Sequence, residues 1–290
     1  MAEPVVSEGS SDVRSSVRER YGALAEQGGG CCGPGATSGG CCGSSGSDVI
    51  PLDSVARLYE DPHIAGLPAE VTDLSLGCGD PVTLASLQPG QTVLDLGAGG
   101  GIDCFLAAKK VGPTGRVIGV DMTAAMIDRA RRNQATVGAA NVEFRLGEIE
   151  HLPIADNSVD VIISNCVINL SPDKEQVFRE AYRVLKPGGR LAVSDIVTDG
   201  PLPAAVKNDL AAWAGCVAGA LDVADYVAAI TAARFTDVEL TPVYWEPEMV
   251  QAAVEQLGPE VARQVVAADG DVTTAVFSAK VTARKSSPGV

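Results

Sequence analysis

Histidine is scarce in this chain, with His63 and His151 the two among 290 residues. That scarcity gives no support to a histidine-built metal site, and both rings read as structural. Also lacking is any uninterrupted apolar run of about 18 residues, the length a membrane-crossing helix needs. The opening residues, MAEPVVSEGS, have neither the basic start nor the apolar stretch of a secretory signal. The reading is a cytoplasmic chain with no membrane partner. Positive charge is short as well: 22 Lys and Arg stand against 37 Asp and Glu, a formal net charge of −15. A field of that sign repels a polyanion, which speaks against nucleic acid as a partner and favours a small neutral or cationic substrate.

What is present is enough apolar material, 46% of the chain, to bury one large core with a small appended region. Eight cysteines accompany it. In a small secreted chain they would suggest disulfides, whereas in a cytosolic protein of this size they point to thiol or soft-metal chemistry.

Val13, Val17, Tyr21 and Leu24 recur at helical spacing and predict an amphipathic helix over 12–26. From Gln27 to Ser47 the chain is almost entirely Gly, Ser, Cys and Pro, which cannot pack a core and reads as a mobile loop holding Cys31, Cys32, Cys41 and Cys42. A regular alternation then begins. Strands are predicted at Thr92–Leu96, Arg116–Val120, Val142–Leu146, Val159–Ser164 and Arg190–Ile196, and helices at Ile102–Val111, Ala124–Val137 and Lys174–Leu185. Such βαβ units imply an α/β fold, a Rossmann-like parallel sheet with helices on both faces. Gly188-Gly189 reads as a turn. After Asp199 the regularity weakens: a helix is expected around Trp213 and Cys216, another over Val223–Ala233, and a strand near Val238–Trp245. The expected division is 1–49, N-terminal helix and Cys/Gly-rich loop; 50–200, the Rossmann-like domain; 201–282, a smaller C-terminal α+β region; and 283–290, a tail, frayed from Lys285 on.

Asp95-Leu96-Gly97-Ala98-Gly99-Gly100-Gly101 follows a buried strand and opens a helix, the setting in which glycines let a backbone approach a ligand closely. Asp121 ends the next strand, where an acidic side chain accepts hydrogen bonds from ribose hydroxyls. Here the motifs become specific. VLDLGAGGG, VIGVDMTAAMIDRAR, FRLGEIEHLPIADNSVDVIISN and REAYRVLKPGGRLAVSD resemble the successive motifs of class I methyltransferases. The resemblance implies S-adenosyl-L-methionine as cofactor. It sets Asp95, Gly97, Ala98 and Gly99 around the methionine part, Asp121 and Met122 at ribose and adenine, the Gly147-Glu148-Ile149 turn at the adenine, and Asn165 beside the methyl donor.

Cys78 in LGCGDP, Cys166 in SNCVINL and Cys216 in GCVAGAL, with VRERYG near the N-terminus and DYVAAITAARFTDVEL after them, resemble the arsenite methyltransferases over nearly the whole chain. The resemblance implies that Cys78, Cys166 and Cys216 hold As(III) for methylation in arsenical resistance, and that Tyr21 belongs to a segment approaching the cofactor. Thiolates suit the task, because trivalent arsenic is a soft, thiophilic centre. The substrates implied are arsenite and methylarsenite, free or as glutathione conjugates, and the reductant a thiol, glutathione or a thioredoxin-type partner. Adjacent Cys31/Cys32 and Cys41/Cys42 lack the two-residue spacer that suits zinc; accessory capture of arsenic, or redox exchange with the inner thiols, fits them better. Cys104 reads as a buried small hydrophobe. Two rival functions stand beside this one: methylation of an organic small molecule, and non-catalytic metalloid binding.

Overall fold

A computed structural model of the chain describes residues 9–27, 59, 64, 67–72, 78–200, 219–244 and 276–287, and the statements below concern those residues. Cys31, Cys32, Cys41, Cys42, Cys216 and the helix expected around Trp213 lie outside them.

Five parallel strands carry the alternation expected from the sequence: β1 (Thr92–Leu96), β2 (Arg116–Asp121), β3 (Val142–Leu146), β4 (Val159–Asn165) and β5 (Leu185–Thr198). Three more follow: β6 (Leu221–Asp222), β7 (Phe235–Val243) and β8 (Val276–Lys285). The sheet runs β3-β2-β1-β4-β5-β8-β7, with β6 beside β5 and with β8 antiparallel to both its neighbours. The chain therefore leaves β1 in one direction for β2 and β3 and returns on its other side for β4. That reversal opens a crevice at the carboxyl ends of β1 and β4, the place where open α/β sheets bind ligands.

Burial on both faces explains the continuous apolar strands. Leu94 and Ile162 pack on one face with Val177, Phe178 and Ala181 of α6 (Lys174–Val184) and Tyr226 and Ile230 of α7 (Val223–Ala232). Val93, Val161 and Ile163 pack on the other with α4 (Ile102–Val111) and α5 (Ala124–Val137). Each fully buried Leu or Ile contributes about 1.5–3 kcal/mol. Short helices α2 (Ala69–Thr72) and α3 (Pro81–Leu84) precede β1; Asp80 starts α3 by accepting the Thr83 amide at 2.8 Å. Helix α1 (Gly9–Gln27) packs its Leu24 and Ala25 against Met126 of α5. No helix among the described residues is long and apolar enough to cross a membrane.

Two expectations need correction at the C-terminus. Residues 276–285 form β8 between β5 and β7, so a boundary after 282 would cut a strand. Nor does Lys285 fray: its Nζ donates to the carbonyls of Tyr182 and Leu185 at 2.6 and 2.7 Å and to Asn157 Oδ1 at 2.8 Å. A strand whose side chains alternate with lysines and threonines gives little apolar signal, and long-range pairing with β5 decides it. Gly188-Gly189, expected as a turn, lies inside β5 at an irregularity of its pairing with β4: Leu185 pairs with Val159 and Arg190 with Val161.

Candidate functional site

The strand ends converge on a cleft of about 950 Å³, counted out to its open mouth. After β1 the turn Gly97–Gly100 forms its floor; after β2 come Asp121, Met122 and Thr123; after β4, Asn165 and Cys166. Gly97 has φ +70°, and a side chain there would collide with Val167. At Gly99 (φ +49°) an added Cβ would meet nothing within 4 Å, so it would project into the space a ligand needs. The glycines thus keep the floor open and the backbone close to whatever lies on it.

Asp121 is pinned at the edge of this floor. The Gly99 amide donates to its Oδ2 at 3.0 Å and the Thr123 amide to its Oδ1 at 2.8 Å, leaving further lone pairs for a diol. Burial raises its pKa, and the two amides partly offset that.

Asp95 sits deeper than expected for a residue that touches cofactor. It is 2% exposed and does not line the cleft, and its Oδ2 accepts the Cys104 thiol at 3.2 Å. Burial pushes its pKa well up, with the neighbouring carboxylates of Asp103 and Asp121 adding and the thiol opposing. The same burial, with Asp95 beside it, pushes the Cys104 thiol up, which fits the inert core role expected for it.

The turn after β3 also departs from expectation. Ile149 lines the cleft, but Gly147 packs against Pro153 and Glu148 turns outward to an ion pair with Arg18. Glu150 takes the inward place, accepting Ser171 Oγ at 2.6 Å and Arg14 at 3.3 Å. These two ion pairs bind α1 across the cleft, where Arg14, Val17 and Tyr21 form part of its wall. Which of two alternating glutamates faces inward depends on the turn and on α1, and neither is written in the local sequence.

Asn165 is a bracket. Its Oδ1 accepts the Cys78 amide at 2.9 Å, and its Nδ2 donates to Gly79 O at 2.8 Å, Asp103 Oδ2 at 3.2 Å and Tyr59 Oη at 3.3 Å. Through these bonds the loop before α3 is tied to the end of β4. Cys78 and Cys166, 88 residues apart, thereby stand with Cα atoms 5.8 Å apart and are joined as a disulfide. The sequence suggested separate thiols; the structure brings these two into bonding contact. Cys166 adopts φ +58°. A non-glycine residue held there costs about 1–3 kcal/mol and marks sites the surroundings enforce, here with the Cys166 amide donating to Ser194 O at 2.8 Å. Among the described residues no group of three His, Cys, Asp or Glu is placed to hold a metal ion, and Cys216, the third expected sulfur, lies outside them.

Sequence reasoning missed Asp103, Tyr59 and Glu150. Asp103 could have been noticed as an acid in the first turn of the helix that the glycine turn opens.

Two buried carboxylates predict a pH dependence. Burial pushes both Asp103 and Asp195, the latter accepting Tyr226 Oη at 3.1 Å, up to about 7 from 3.8. A carboxyl whose folded pKa is raised stabilises fully below its unfolded pKa and loses that contribution as pH rises through the folded one. The ligand-free protein should therefore lose roughly 5 °C or more of Tm between pH 5.5 and 7.5. Fluorimetry across that range checks it, and a flat profile, or one unchanged in Asp195→Asn, would contradict the assignment.

A doubly covered sheet with a glycine-rich turn and an acid ending the neighbouring strand beside its reversal point defines the class: a family model described as a methyltransferase domain matches residues 87–253. Among curated relatives, the arsenite methyltransferase of Halobacterium salinarum is 51% identical over 231 residues, 80% of this chain and 59% of that protein. That of Aquipseudomonas alcaligenes is 44% identical over 186 residues, 62% and 53% of the two chains. The solved arsenic(III) S-adenosylmethionine methyltransferase of Chlamydomonas reinhardtii is 36% identical, with a TM-score of 0.63 over 81% of this chain and 74% of that one. The chain belongs to this family of methyltransferases, those of arsenite or arsenic(III). It spans between 53% and 59% of the length of these two curated relatives.

Proposed function

We propose that this chain transfers a methyl group from S-adenosyl-L-methionine to trivalent arsenic held on cysteine thiolates, arsenite first and methylarsenite next, in arsenic detoxification. The observation that carries this reading is the meeting of Cys78 with Cys166, a residue of the wall of the glycine-floored cleft, through the bracket that Asn165 forms with the Cys78 amide. Cys216 is proposed as the third sulfur, with Cys31, Cys32, Cys41 and Cys42 as accessory thiols that capture arsenic or exchange disulfides with the inner pair. Residues 50–200 would then carry the donor, and the chain beyond Gly200, which contains Cys216, the substrate side.

The residues of the cleft fit the donor. Gly97, Ala98 and Gly99 offer backbone without bulk, Asp121 offers acceptors for ribose hydroxyls, and Met122, Ile149 and Tyr21 offer apolar walls for a purine. Bound there, S-adenosyl-L-methionine supplies an electrophilic methyl group to the arsenic lone pair, with S-adenosylhomocysteine as the product. A nucleophile that is already an unshared pair needs no general base, so the chain contributes mainly by holding the soft atom near the donor. Carboxylates close to the cleft favour a cation over neutral competitors.

The disulfide sets a condition. Cys78 and Cys166 can bind arsenic only as thiolates, so an external thiol must first reduce the pair, two thiols becoming one disulfide as two cysteines are released. We propose glutathione or a thioredoxin-type protein for that role, consistent with a cytoplasmic setting. The test is direct: with methyl-labelled donor, arsenite and glutathione, the full chain should form methylated arsenicals, separated by chromatography with arsenic-specific detection. Label appearing on an organic acceptor instead, or nowhere although the donor binds, would overturn the reading.

A further inference from the structure

Asp103 has no part in the functions assigned above, yet it reaches the cleft, as its buried neighbour Asp95 does not. Of the pair Asp95 and Asp103, Asp103 lines the cavity, is 5% exposed, and keeps one carboxylate oxygen, Oδ1, without a hydrogen-bond partner. A buried carboxylate oxygen left so is costly unless something else meets it. Its other oxygen is held by Asn165 Nδ2 at 3.2 Å, and Tyr59 also hydrogen-bonds to the carboxyl. The carboxyl therefore has a fixed direction.

The surroundings define what could meet it. From β1 comes Asp95, whose own pKa Asp103 raises; from the turn before α3 comes Asp80, committed to Thr83; from β4 comes the neutral Asn165, and Tyr59 stands beside it. Asp121, across the floor, adds a further negative charge near Asp95. Among the described residues, the one guanidinium lining the cleft is Arg14, and it is paired with Glu150. The cluster is thus short of positive charge, and the missing cation must come with the ligand.

Resting on the donor-binding reading above, we infer that Asp103 is the residue that receives the α-ammonium group of the donor's amino-acid part. The ammonium supplies donors to Oδ1 and a charge that the cluster lacks. Asn165 then serves two ends at once, because the amide that brackets the cysteine loop also orients Asp103. The product, S-adenosylhomocysteine, carries the same ammonium and is held in the same way. Specificity follows: adenosyl thioethers lacking the amino group leave Oδ1 unmet and bind weakly.

Asp103→Asn separates the possibilities. The amide oxygen can still accept from Asn165, so the fold is retained, while an NH₂ replaces the charge at the ammonium's place. Calorimetry at pH 7.5 with the reduced full chain would use S-adenosylhomocysteine and its deaminated analogue, in which hydrogen replaces the ammonium. The variant should bind S-adenosylhomocysteine at least about ten-fold more weakly, in the range of a lost charged hydrogen bond, and the analogue within about two-fold of the parent. Affinity of the parent for S-adenosylhomocysteine should also rise from pH 5.5 to 7.5, as the carboxyl sheds its proton, and this slope should vanish in the variant. Unchanged binding by the variant, or equal loss for both ligands, would overturn the inference while leaving the donor site standing. Failure of the parent chain to bind either ligand would instead overturn the donor site, and the inference with it.

Discussion

Cys166→Ser should lower arsenite methylation by about 1000-fold or more, a loss of about 4 kcal/mol of transition-state stabilisation. Binding of S-adenosylhomocysteine should stay within about two-fold of the parent. Serine is nearly the size of cysteine and can occupy the same left-handed backbone position, so the loop after β4 is preserved (φ +58°). Its oxygen is a hard, weakly acidic ligand that does not replace a thiolate on a soft metalloid. Cys78→Ser should behave alike, since Cys78 stands against Cys166 with Cα atoms 5.8 Å apart. Assays in excess glutathione remove the disulfide from the comparison, because the parent is then reduced as well. Retention of more than a tenth of the activity by either variant would sink the thiolate mechanism. Parallel loss of product binding would mean the serine had disturbed the cleft rather than the arsenic.

Asn165→Ala should show the second largest effect, and on both stability and turnover. Its side chain joins the Cys78 amide, Gly79 carbonyl, Asp103 and Tyr59, all within 3.3 Å. Alanine leaves these groups to find water or go without, at about 1–3 kcal/mol for each that stays buried and unmet. A combined cost of roughly 2–4 kcal/mol would lower Tm by about 5–10 °C. Methylation should fall about 100-fold, because the Cys78 loop loses its tie to Cys166 and small displacements of a binding atom are costly. A calorimetric scan and an activity assay on the same sample decide it. Activity within two-fold of the parent would show that the cysteines converge without the bracket.

Part of the cleft lining was legible in the sequence. Gly97 and Gly99 were identified from spacing, and the structure gives each a positive φ at the cleft floor. Asp121 was placed correctly at a strand end, since strand, turn and acid follow one another locally. Asp95 was expected at the cofactor but does not line the cleft; it is buried, and its carboxylate is engaged by the Cys104 thiol of α4. Glu148 was expected at the cleft with Gly147 and Ile149, but it pairs with Arg18, and Glu150, which the sequence reading did not single out, lines the cleft with Ser171 and Arg14 as its partners.

A family resemblance singled out Cys78, Cys166 and Cys216 from Cys104; the local sequence determined the order of β1 to β5 with their helices, the glycine turn after β1 and the acid that ends β2. These depend on periodicity and on residues near one another along the chain, where hydrophobic pattern and turn chemistry act directly. Tertiary structure decided the rest: β8 entering between β5 and β7, α1 closing over the cleft, Cys78 meeting Cys166, and Asp103 facing the cavity with a free oxygen. Each of these joins segments tens of residues apart. Their energies come from pairing and burial between those segments, and no local pattern carries that information.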